Sequence, residues 1–134
     1  MWIKKNHADS SLQKKEGQYH LFIGRWQPLH EGHKQMFQQV LNRGEKICIA
    51  IREGKIDAQN PFSATQVNHN ILMTYPTEIY EGRIKIIRIP DICSVNFGRN
   101  VGYDITEWIP PAEIAEVSAT KIREQLNDSN NAND

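Results

Sequence analysis

Cysteine is scarce: Cys48 and Cys93 are the only two in 134 residues. They form no Cys-x-x-Cys pair, so neither a disulfide framework nor a structural zinc site organises the fold. A reducing, cytosolic setting is expected. Charge of one sign is missing too, since 16 Lys and Arg face 16 Asp and Glu. That balance excludes a global basic field for nucleic acid. The longest apolar run, Ile47 to Ile51, falls far short of the roughly 20 residues that span a bilayer. No nucleic-acid or membrane partner is expected. The polar, basic N-terminus carries no apolar stretch of the signal-peptide kind. What is present is ordinary for a soluble domain: 39% apolar and 24% charged residues. The length suits one domain with a real core.

Apolar patterning organises residues 18–126. Tyr19 to Ile23 reads as a strand, and about 31–42 as a helix ended by Asn42-Arg43-Gly44, with Gly44 a left-handed cap. Lys46 to Arg52 reads as a strand buried on both faces, with Cys48 inside it. Glu53 to Pro61 form a loop. Ser63 then caps a helix that runs to about Tyr75 and stops before Pro76. Arg83 to Ile89 form a third strand, Tyr103 to Ile109 a fourth, and Glu113 to Val117 a short one before a last helix. Residues 1–17 are a polar extension, either disordered or packed on an edge. Residues 127–134, rich in Asn and Asp, form a flexible tail. Strands alternating with helices predict an α/β fold: a Rossmann-like, doubly wound parallel sheet in a single small domain, with helices on both faces. Ligands of such sheets bind beyond the C-terminal strand ends.

The densest motif is Gly24-Arg25-Trp26-Gln27-Pro28-Leu29-His30-Glu31-Gly32-His33, at the first strand-to-helix turn. Its two histidines project from one helical face. Gly32 leaves the backbone open to close approach by a ligand. Free first-turn N–H groups and the positive end of the helix dipole suit a phosphate. An isolated His-x-x-His is more often a surface pair, and nothing nearby supports a metal site. The frame around the pair changes those odds. The pattern resembles the nucleotidyltransferase superfamily marked by His-x-Gly-His, most closely its nicotinamide mononucleotide adenylyltransferase branch. Trp26 stands where that family usually has phenylalanine.

A second motif supports the resemblance. Val117-Ser118-Ala119-Thr120-Lys121-Ile122-Arg123 resembles the Ile-Ser-x-Thr-x-Ile-Arg signature of the same superfamily, in the expected order along the chain. Ser118 is a natural N-cap, and Arg123 follows Thr120 by one turn, within reach of a polyphosphate. Asn60-Pro61-Phe62-Ser63 and Ile89-Pro90-Asp91-Ile92 also resemble the adenylyltransferase branch. The first reads best as a helix start. Arg52 and Asp91 are candidates for the acceptor, each weighed against a solvated strand end or turn. Arg99 lies in a loop with two glycines. Trp2 and Trp108 read as packing, and Lys34 as a solvated helix charge.

The resemblance covers roughly residues 19–126 and implies transfer of a nucleoside monophosphate from an NTP to a small phosphate-bearing acceptor, releasing pyrophosphate. It implies catalytic roles for His30, His33 and Arg123. It implies nucleotide contacts from Gly24, Arg25, Trp26, Gln27, Gly32, Arg99, Ser118 and Thr120. The cofactor implied is Mg²⁺ on the NTP phosphates, with no dedicated protein metal site. Gln27 replaces the acidic residue usual in cytidylyltransferases, which leans toward ATP over CTP. A homo-oligomer is left open. Rival readings are a class I aminoacyl-tRNA synthetase piece, disfavoured because Lys-Met-Ser-Lys-Ser is missing, and a silent nucleotide sensor.

Overall fold

The computed structural model describes residues 2–6, 18–99 and 102–111. A parallel sheet is built from β2 (Tyr19–Gly24), β3 (Lys46–Arg52) and β4 (Ile84–Ile89), with β3 in the centre. A small antiparallel ribbon pairs β1 (Ile3–Asn6) with β5 (Thr106–Ile109). The helices are α1 (Glu31–Leu41), α2 (Ala64–Thr74) and α3 (Pro76–Tyr80). Parallel strands joined through helices make this the expected Rossmann-like α/β arrangement. Among the described residues, no helix is long and apolar enough to cross a membrane.

Register sorts the sheet into two faces. His20, Ile47 and Ile84 lie in one row, Phe22, Ile49 and Ile86 in the next, and Gly24, Ile51 and Arg88 in the last. These rows face α1 and α2. Phe37, Val40 and Leu41 of α1 and Val67 and Ile71 of α2 close the core against them. Burying a side chain such as Phe37, fully excluded from solvent, contributes about 1.5–3 kcal/mol. Both crossovers step the same way along the sheet. Right-handed connections therefore place both helices on one face. The opposite face shows Leu21, Ile23 and Ile87, all exposed. A helix there would need the strand order to reverse after β4, and residues 112–126 lie outside the described residues.

Local signals explain the element ends. Ser63 accepts from the Gln66 N–H at 3.1 Å, and the Gln66 side chain accepts in return from the Ser63 N–H at 2.8 Å. Gly44, at φ +76°, ends the α1 turn in the left-handed region. Three features differ from expectation. Pro76 does stop α2, but it also starts α3, because proline suits the first helical position. The expected strand 103–109 contracts to β5 and pairs outside the parallel sheet. Its partner, β1, comes from the polar extension, whose lysines suit an edge ribbon and whose Ile3 stays exposed. Trp108 packs against the core, and the Trp2 Nε1 donates to Gln35 Oε1 at 3.3 Å, both packing roles as expected.

Candidate active site

The last row of the sheet sets the floor of the site. Gly24 ends β2, and a Cβ there would lie 2.9 Å from the Trp26 indole, so only glycine lets the ring fold back over the strand. Trp26 itself holds φ +53°, a left-handed backbone that costs a non-glycine residue roughly 1–2 kcal/mol. Its packing offsets that cost. The indole Nε1 donates to the Ala50 carbonyl at 3.1 Å, and the ring meets Phe37 and His33 edge-on, with centroids 5.2 and 4.9 Å away. Trp26 thus lies behind the site and supports His33 from below.

His30 and His33 cap the helix they begin. The Gly32 N–H donates to His30 Nδ1 at 3.0 Å, and the His30 N–H donates to His33 Nδ1 at 3.2 Å. Accepting at Nδ1 assigns the ring proton of each to Nε2. The two imidazoles stack 3.7 Å apart at 21°. Burial lowers the His30 pKa. Burial, and then repulsion from His30, pushes that of His33 down to about 3. Two stacked rings cannot both carry charge, so both stay neutral near pH 7 and offer Nε2–H donors. The expectation of a helix face carrying both histidines is corrected: His30 is the N-cap, and His33 sits in the first turn. Free first-turn amides are likewise reduced, because the imidazoles take them up. The donors that the histidine pair itself offers are ring N–H groups.

Gln27 is 5% exposed and clasps the Phe62 backbone twice. Its Nε2 donates to the Phe62 carbonyl at 2.8 Å, and its Oε1 accepts from the Phe62 N–H at 2.9 Å. The histidine loop is thereby tied to the start of α2. Beside this clasp a cavity of about 270 Å³ opens at the C-terminal ends of β3 and β4, with Arg25, Arg52, Arg88, Glu53 and Thr65 among its polar lining. Arg25 folds over Gly54, where a Cβ would lie 2.5 Å from its Nη1, and its Nη2 donates to the Lys55 carbonyl at 3.0 Å. Arg52 pairs through Nε with Asp91 Oδ1 at 3.1 Å, so the two expected acceptor residues meet each other.

The structure therefore brings Gly24, Arg25, Trp26, Gln27, His30, Gly32, His33, Arg52 and Asp91 to one end of the sheet. Arg99 is exposed on the loop beyond β4. Ser118, Thr120 and Arg123 lie outside the described residues. Lys34 is a half-exposed helix charge 3.9 Å from Glu31, as expected. Sequence reasoning missed Arg88. The signal was there: Ile84, Ile86 and Arg88 alternate on one face, so a charge ends an otherwise buried row.

Residues 21–74, from β2 through α2, match the cytidylyltransferase-like family. That segment is similar to the His-x-Gly-His nucleotidyltransferases. Similar proteins include a nicotinamide-nucleotide adenylyltransferase of Thermococcus sibiricus, 28% identical over 54% of this chain and 40% of its own. A nicotinamide/nicotinic acid mononucleotide adenylyltransferase of Acinetobacter baylyi is 33% identical over 55% of this chain and 40% of its own. A nicotinamide-nucleotide adenylyltransferase of Pyrococcus horikoshii is 27% identical over 69% of this chain and 46% of its own. The matches thus span less than half the length of each relative. The matched segment contains the histidine pair, the Gln27 clasp, Arg25 and Arg52, and it ends before Arg88 and Asp91.

Proposed function

We propose that this protein transfers a nucleoside monophosphate from an NTP to a small phosphate-bearing acceptor, with release of pyrophosphate. The observation that carries the reading is the stacked, neutral histidine pair with both Nε2–H groups available as donors. The acceptor phosphate attacks the α-phosphorus, the new P–O bond forms, and the bond to the β-phosphate oxygen breaks. Charge grows on the α-phosphate oxygens and on the departing pyrophosphate. Fixed N–H donors stabilise that charge without rearranging, and each contributes about 10²–10³ in rate. No enzyme nucleophile is required, because positioning and charge neutralisation carry phosphoryl-type transfer.

AMP is the favoured group. That preference rests on the names of the similar adenylyltransferases, because Gln27 is committed to the Phe62 backbone and acts as scaffold. Mg²⁺ would enter with the triphosphate and neutralise its charge. Asp91 is engaged by Arg52. Oxygen ligands from phosphate and water suffice for this ion. The superfamily resemblance adds Ser118, Thr120 and Arg123 as contacts to the β/γ-phosphates. A cytoplasmic location accompanies this reading.

The test is direct. The full chain is incubated with Mg²⁺, each of four labelled NTPs and a panel of phosphorylated metabolites, and pyrophosphate is scored. ATP-dependent release with one acceptor class is expected. Tight NTP binding without pyrophosphate would instead mark a nucleotide sensor.

A further inference from the structure

The sheet face turned away from α1 and α2 is divided by chemistry along its strands. Toward the C-terminal ends it is apolar: Ile23, Ala50 and Ile87 form one row, with Ile23 and Ile87 exposed. The next row holds exposed Leu21, then Cys48 and Lys85. Toward the N-terminal ends the face is cationic. Tyr19 is the row partner of Lys46, and the ammonium groups of Lys46 and Lys85 lie 5.6 and 5.0 Å from the Tyr19 ring centroid. Neither lysine meets a carboxylate among the described residues. An apolar patch beside two unmatched cations calls for an amphipathic, acidic cover.

Residues 118–128 of the same chain match that face in pattern, charge and length. Ala119, Ile122 and Leu126 recur at i, i+3 and i+7, one stripe of a helix. After Arg123 the chain carries Glu124, Asp128 and Asp134 and no Lys or Arg. Ten helical steps at ~1.5 Å span about 15 Å, and the five steps of β2 at ~3.3 Å span about 17 Å. We propose that residues 118–128 cover this face as one helix antiparallel to the strands, with Ile122 and Leu126 on the exposed apolar rows and Asp128 at Lys46 and Lys85. The negative end of the helix dipole meets the lysines at the same place. Charge therefore sets the direction, since the reverse orientation lays Asp128 over Ile23 and Ile87. That direction carries Ser118 and Thr120 to the strand ends where His30 and His33 lie. Only this last consequence rests on the nucleotidyl-transfer reading; the docking stands without it.

Cys48, half-buried in the middle of the face, is a native reporter. In a Cys93→Ser background of the full chain, Ile122→Cys, Leu126→Cys and Glu124→Cys are each treated with a mild thiol oxidant, and the products are sized on a non-reducing gel and mapped as peptides. Ile122→Cys or Leu126→Cys should close an intramolecular disulfide to Cys48 about tenfold faster than Glu124→Cys, which lies on the far side of the helix, because the bond needs Cβ atoms about 3.5–4.5 Å apart. Adding Lys46→Glu and Lys85→Glu should slow closure about two- to fivefold, as for lost surface ion pairs, and Asp128→Lys should then restore it. Four results overturn the proposal: closure by Glu124→Cys as fast as by the other two, no closure by any, disulfide-linked dimers in place of monomers, which put a second copy on the face, or closure indifferent to the lysine reversals. No readout here involves a nucleotide. Failure of the nucleotidyl-transfer reading looks different, because the disulfide then still closes in a protein that does not bind ATP–Mg²⁺.

Discussion

His33 combines three jobs in one ring: it caps the His30 N–H through Nδ1, packs on Trp26, and keeps its proton on Nε2 as a donor. His33→Ala removes all three. Turnover should fall about 10²–10³-fold while NTP affinity changes little, because the donor matters most when charge has built up. The lost cap should cost about 1 kcal/mol in denaturant unfolding. An unchanged kcat would remove His33 from the chemistry. Its low pKa also has a stability consequence. The unfolded chain binds a proton near the ordinary histidine value of 6.5, whereas folded His33 resists protonation until about pH 3. Stability from this group is thus fully present above about pH 6.5 and is lost as pH falls toward 3. Urea unfolding at pH 7.5, 6 and 5 should show a decline of up to about 1.4 kcal/mol per pH unit from this site. His33→Gln should flatten that decline. Equal slopes in both proteins would mean that His33 is not held neutral.

At the scale of elements, the loop between β2 and α1 is fixed by what it grips. Gln27 satisfies both backbone groups of Phe62, just ahead of the Ser63 cap, and so ties the histidine loop to the start of α2. Gln27→Leu keeps most of the volume and leaves a half-buried N–H and C=O without partners. It should destabilise by about 1–3 kcal/mol. It should also raise the acceptor KM more than it lowers kcat, because the cavity wall at Phe62 loosens first. A variant of normal stability and normal KM would show the clasp to be incidental. Much of this element layer was legible from sequence. β2, β3, β4, α1 and α2 carry strong periodic patterns and recognisable stops at Gly44, Ser63 and Pro76. β1 and α3 were not, because an edge ribbon buries too little to impose a pattern and a five-residue helix is too short to show one, while β5 was legible as a longer strand but its pairing with β1 was not. Motif positions located the site. The capping role of the imidazoles and the inward turn of Trp26 and Gln27 were hidden, since both depend on long-range partners such as Ala50 and Phe62.

For the molecule as a whole, the described residues bring a neutral histidine pair at the β2–α1 turn to the same end of the sheet as a cavity lined by Arg25, Arg52 and Arg88. A triphosphate brings more charge than two neutral imidazoles can balance. Mg²⁺ and a further cation must share it. The superfamily resemblance assigns that cation to Arg123, in the Val117–Arg123 motif outside the described residues. Arg123→Lys separates this role from a helix-surface charge. A solvated arginine replaced by lysine changes stability by no more than about 0.5 kcal/mol, and activity not at all. An arginine clasping the β/γ-phosphates loses its planar, bidentate fork although the charge stays. The variant should therefore melt as the wild type does, bind NTP more weakly, and lose most of its pyrophosphate release at saturating acceptor. Wild-type kinetics in this variant would leave the histidine pair and the arginine cavity to account for the whole charge of the reaction, and the second motif would then be a helix cap.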